Sequence, residues 1–202
     1  RRRHTRLRTV TGVQTCALPI YANVAAVNYY FGDKFGLYRE VLQKAIDSMR
    51  ATSEAARRAG YGRSPEEQLR QYIAVVLQRI LSPENSAVHR LLMREMHDPT
   101  PALDSLVEQG LRPRIEYLTR VVAGIMGCDP RDPRVRSCVA SIQSQSVTYM
   151  PNPVSTRLGM TFKPTPEQIE LAAEHIATFS IGGVRAIGGK TGTRPRARAD
   201  AS

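Results

Sequence analysis

In Ser64-Pro65, Ser82-Pro83, Asp132-Pro133 and Thr165-Pro166 a residue that caps helices is followed at once by proline, just ahead of an apolar stripe. Proline is tolerated at the first helical position, where its missing N–H would have had no acceptor. The preceding side-chain oxygen can meanwhile accept from the N–H groups of the first turn. Behind each pair the apolar residues recur at helical spacing. The first stripe is Leu69, Tyr72, Ile73, Val76, Leu77 and Ile80, and the second is Val88, Leu91, Leu92 and Met96. The third is Val135, Val139, Ile142, Ser146 and Val147, and the last runs from Ile169 to Ile187. Glu67 and Gln168, three residues after their caps, complete two capping boxes. Every element read in this way is helical, so the chain is expected to be all-α.

Two further helices complete the pattern. One runs from Asp33 to about Arg50, followed by a polar, Gly-bounded connector from Ala51 to Gly62. The other runs from about Ala102 to Met126 and contains Pro113, which should kink it. Pro151 to Pro164 reads as a loop, and 189–202, rich in Gly, Arg and Ala, as a disordered tail.

Charge says less about partners than its size suggests. The formal net charge is +11, but five arginines before residue 9 and the C-terminal tail supply most of it. The body is mildly basic, weak evidence for nucleic acid on its own. Three cysteines without Cys-x-x-Cys spacing argue against a disulfide framework or a zinc site, and fit a reducing cytoplasm. No apolar run is long enough for a transmembrane helix, so no membrane partner is expected.

The stretch Asn23-Val24-Ala25-Ala26-Val27-Asn28-Tyr29-Tyr30-Phe31-Gly32-Asp33-Lys34 reads as a short helix, a turn and the start of a longer helix. Asn23 can cap the first and Asp33 the second, with Gly32 between them. Val27 and Phe31 share one face, while Val24, Ala25 and Asn28 lie on others and allow close approach. Lys34 sits in a first turn, where the macrodipole disfavours a cation unless a phosphate is held there too. With Gly36-Leu37-Tyr38 behind it, this wording resembles the recognition helix and turn of the TetR family of bacterial repressors, and in particular its CerR-like branch.

The resemblance implies a ligand-responsive repressor that binds a double-stranded DNA operator as a homodimer, with recognition helices roughly 34–36 Å apart. Val24, Ala25 and Asn28 would face base edges, and Tyr29, Tyr30 and Lys34 would meet phosphates. A small-molecule effector would bind in the C-terminal domain. The first two helices of such a DNA-binding domain should precede Asn23. Instead Val10 to Ile20 is similar to the conceptual translation of a common sequencing adapter. The expected division is therefore 1–20 non-native, 21–50 a remnant of the helix-turn-helix domain with its connecting helix, 51–188 the effector and dimerisation domain, and 189–202 the tail. The chain as written is expected to be impaired in DNA binding. The alternative is a helical dimerisation module that binds no DNA.

Within the C-terminal part, Met93, Met96, Gln143 and Val147 are expected to line an effector pocket, since an apolar cavity with few polar groups suits a small ligand. Ile142, Ser146, Ile176, Phe179, Ser180, Gly183 and Val184 are expected at the dimer interface. Gly183 to Thr191 fails as a phosphate-binding loop, because its glycine spacing is wrong and no strand precedes it. His89 and His97 are too far apart to share a metal. No catalytic constellation stands out, so neither enzymatic activity, cofactor nor metal is expected.

Overall fold

The computed structural model describes residues 34–150, 153–160 and 162–189. All regular structure among them is helical. Two compact units divide the chain, residues 1–44 and 45–202. Of the first, only the opening turns of helix α1 (Lys34–Gly60) are described. The second holds the rest of α1 and every later helix.

In this second unit α1 buries Ala45, Ile46, Met49, Thr52, Ser53 and Ala56. It does not stop near Arg50, and the connector expected from Ala51 to Gly62 is helical through Gly60. The polarity that suggested a connector is absorbed by the helix itself. Thr52 Oγ1 donates to the carbonyl of Ser48 at 2.8 Å, and Ser53 Oγ to that of Met49 at 3.1 Å. At the helix end, a Cβ on residue 60 would lie 2.6 Å from the Tyr117 hydroxyl, so glycine is needed for the approach.

Helix α2 (Pro65–Ile80) starts as expected, with Ser64 Oγ accepting from the N–H of Glu67. A 3₁₀ turn at Pro83–Asn85 leads into α3 (Ser86–His97). Asn85 ties this corner together. Its Nδ2 donates to the carbonyl of Arg79 at 2.7 Å, and its Oδ1 accepts from Ser48 Oγ at 2.7 Å. The end of α3 carries a fully buried acid, Glu95. Its Oε2 accepts from the N–H and the hydroxyl of Thr100 at 2.9 and 2.8 Å, which shapes the break before the next helix.

That helix begins with α4 (Ala102–Ser105), passes through a π-helical turn at Leu106–Leu111, and continues as α5 (Arg112–Met126). The distortion expected of Pro113 takes this form. Proline has no N–H for the carbonyl of Gln109, four residues back, and its ring crowds that oxygen. Arg50 Nε donates to the same carbonyl at 3.3 Å. Gly127, with φ of 64°, ends α5 in the left-handed conformation.

Asp132 caps α6 (Pro133–Thr148) through the N–H of Arg134, whose guanidinium holds the Asp132 carboxyl below its usual range. The expected loop from Pro151 to Pro164 contains a short helix, α7 (Pro153–Arg157). Thr165 caps α8 (Pro166–Gly188) through the N–H of Gln168. Helices α2, α5, α6 and α8 enclose one core, in which Leu69, Ile73, Leu118, Ile142 and Ile176 are fully buried. Each such side chain stabilises the fold by roughly 1.5–3 kcal/mol relative to exposure. Arg185 of α8 adds a two-pronged contact to Glu66 of α2, at 2.6 and 2.7 Å. It lies at the surface, where such pairs contribute little.

Candidate functional site

A cleft of about 110 Å³ opens where α1, the end of α2, α3 and α5 meet. Ser48, Met49 and Thr52 come from one turn and a half of α1, Arg79 and Ile80 from the end of α2. Val88, His89, Leu92 and Met93 share one face of α3 at helical spacing. Leu111 ends the π-helical turn and Arg114 follows Pro113, so the distorted stretch supplies one wall. Val147 and Met150 close the cleft from the end of α6. Asn85, held by its bonds to Arg79 and Ser48, forms the corner.

The electrostatics are one-sided. No aspartate or glutamate lines the cleft. Arg79 and Arg114 are each half-buried, and among the described residues neither meets a carboxylate. Burial lowers the pKa of His89 below its ordinary 6.5, so at pH 7 this ring is neutral. Arg114 Nε, the Tyr72 hydroxyl and Gln143 Nε2 are buried without a hydrogen-bond partner. Burial raises the pKa of Tyr72, and the charge of Arg114 partly opposes that rise. The Gln143 amide also acts on this hydroxyl, although the two do not reach hydrogen-bond geometry.

Two other hollows are larger but chemically different. A groove of about 530 Å³ between α2 and α8 holds Arg70, which is paired with Glu174, and is further lined by Glu67 and Glu170. Its arginine meets Glu174, and Glu67 meets Arg63, so the one cation lining it is compensated from within the chain. A second, of about 370 Å³, lies among α6, α8 and the 155–162 segment, lined by Tyr149, Met160, Phe162 and His175. Tyr149 and Phe162 meet edge to face there, centroids 5.0 Å apart.

Residues 65–184 match the family described as the HTH-type transcriptional dual regulator CecR, C-terminal domain. That span is more than half of the chain. The chain belongs to the CecR family. It is also 30% identical over 122 residues to the HTH-type transcriptional dual regulator CecR of Shigella flexneri, a match covering 56% of this chain and 55% of that protein. The chain thus matches about half the length of this curated relative. The all-helical architecture fits a TetR-like all-α fold with such a C-terminal domain.

In this CecR-family chain the expected pocket residues separate. Met93 and Val147 line the cleft. Gln143 does not, although its amide Nε2 is buried without a hydrogen-bond partner. Met96 is exposed on α3, away from the cleft walls. Arg79, Arg114, Asn85 and Tyr72 were not expected. A signal existed for Arg114: it lies four residues before Leu118 and so continues the buried stripe of α5.

The residues expected at a dimer interface also fall into two groups. Ile142, Ser146, Ile176, Ser180 and Val184 are buried inside this chain's own core, so they present no face to a second copy. Phe179 is 67% exposed, and a Cβ on Gly183 would meet nothing within 4 Å. A period of 3.6 marks a buried stripe without saying what buries it, and here the stripe's partners are α2, α5 and α6. Val24, Ala25, Asn28, Tyr29 and Tyr30 lie outside the described residues. Lys34 is the first residue of α1. Among the described residues no helix is long and apolar enough to cross a membrane.

Proposed function

We propose that this chain derives from a ligand-responsive, DNA-binding transcriptional repressor of the TetR type. The cleft in its helical unit would be the effector site. The carrying observation is that the family match lies within the unit that also holds a part-apolar cleft with two arginines that meet no carboxylate. The relative from Shigella flexneri is named a dual regulator, so activation at some promoters fits the same reading. By the TetR resemblance, Val24, Ala25 and Asn28 read base edges, while Tyr29, Tyr30 and Lys34 hold phosphates. The CerR-like wording of Ala26 to Lys34 and the adapter-like wording of Val10 to Ile20 belong to the same proposal. The parent protein binds DNA, and the chain as written binds it poorly.

A homodimer is part of this reading. On α8 the outward side carries Leu171 and Phe179, 64% and 67% exposed, with open space around Gly182 and Gly183. Val154, Leu158 and Met160 add further exposed apolar surface. Large apolar side chains exposed in this number favour a covering partner, and a self-complementary face under a two-fold axis would supply it.

The test uses a gene with its authentic 5′ end restored. Lys34→Ala should weaken binding to all DNA alike and lower the salt slope by about one. Asn28→Ala should relax preference at one base position, by about 1–3 kcal/mol. An unchanged sequence preference in Asn28→Ala would mean the recognition helix is misplaced. If the restored protein dimerises yet binds no DNA at all, the interaction-module reading replaces this one.

A further inference from the structure

We propose that the cleft takes an organic anion with an apolar body and a carboxylate head, and that Arg114 and Arg79 hold the head. The inference rests on reading this cleft as the effector site, and it adds the chemical class of the effector.

The cleft is asymmetric in a way that selects charge. Met49, Ile80, Leu92, Met93 and Val147 give it apolar walls. Its charged lining residues are two arginines, and no carboxylate faces them. An arginine does not lose its proton, so a half-buried one must find a counter-charge or remain poorly solvated. The other half-buried arginines among the described residues, Arg70 and Arg134, each meet an acidic side chain. The two at the cleft do not.

The unpartnered polar atoms point the same way. Buried polar atoms in folded proteins are nearly always hydrogen-bonded. Arg114 Nε, Gln143 Nε2 and the fully buried Tyr72 hydroxyl are not, and all three can donate. Of these, Arg114 Nε belongs to a guanidinium that lines the cleft, and it calls for acceptor oxygens. A carboxylate supplies two, in the spacing that the guanidinium fork matches. An ammonium would face two like charges, and an alcohol would leave both arginines uncompensated.

The experiment compares three probes of one chain length, octanoate, 1-octanol and octylammonium, by titration calorimetry on the full chain. Octanoate should bind roughly tenfold or more tighter than either of the others, and Arg114→Met should remove that margin with helicity retained. Arg114→Lys should keep part of it. Should Arg114→Met lose its helical signal, Arg79→Met carries the same expectation. Equal binding of all three probes, absence of octanoate binding, or undiminished octanoate binding in the folded arginine variants would overturn the proposal. No DNA is present in this assay. Failure here therefore leaves the regulator reading standing, and failure of DNA binding in the restored protein leaves this result standing.

Discussion

Met49 occupies the space that a side chain at position 110 would need: a Cβ on Gly110 would lie 2.6 Å from the Met49 sulfur. The two residues join α1 to the π-helical turn, and Met49 is also a wall of the cleft. A branched side chain at 110 must displace Met49. Gly110→Leu should therefore destabilise the fold by about 1–3 kcal/mol through overpacking, read as a lower urea midpoint. It should also narrow the cleft, so octanoate binding should fall further than the loss of folded protein explains. A variant as stable as the parent would show that Met49 swings clear at no cost.

Glu95 is the one fully buried acid among the described residues, and Thr100 donates to it twice. Glu95→Ala leaves the Thr100 N–H and hydroxyl to find other acceptors and removes buried volume. The expected loss is about 2–3 kcal/mol in urea unfolding. A loss under about 0.5 kcal/mol would mean that water replaces the carboxylate without penalty.

His89 sets a pH dependence whose sign is fixed by its burial. Its folded-state pKa lies below the ordinary 6.5. The unfolded chain therefore takes up the proton first as pH falls. Its neutral form adds no penalty above about pH 7, and stability declines as pH drops through the unfolded value towards the folded one. His89→Gln should flatten that part of a thermal-midpoint profile between pH 7 and 5. An identical profile in the variant would assign the acid-side slope to other groups.

The proposed dimer face can be tested without disturbing the core. A side chain at Gly183 meets nothing inside the chain, so Gly183→Arg should fold normally. Phe179→Glu likewise changes a residue that is 67% exposed. Both should sediment as monomers at concentrations where the parent is a dimer, with helical content preserved. Dimers that survive both changes would place the interface elsewhere.

What the sequence made legible was local. Ser64, Asp132 and Thr165 cap their helices because each bond closes within three residues, a geometry that residue types and spacing determine. The extension of α1 was hidden, because the hydroxyls of Thr52 and Ser53 look polar until the i−4 carbonyls accept from them. Periodicity found the stripes of α6 and α8 but could not tell a partner within the chain from one on a second copy. The cleft was least legible. Met93 and Val147 are apolar and were expected, whereas Arg79 and Arg114 are brought together by a turn at Pro83–Asn85 and a π-helical turn that no periodic pattern encodes.

The regulator reading requires that the parent of this chain bind DNA under the control of its helical unit. The most direct measurement is fluorescence anisotropy of the protein expressed from a gene whose 5′ end has been re-sequenced. It would be titrated onto the DNA upstream of its own gene and onto unrelated DNA, at several salt concentrations. The expected result is binding to the upstream DNA about a thousandfold or more tighter than to unrelated DNA, weakening steeply with salt. Equal, weak binding to both DNAs, from a protein that still dimerises, would contradict that reading.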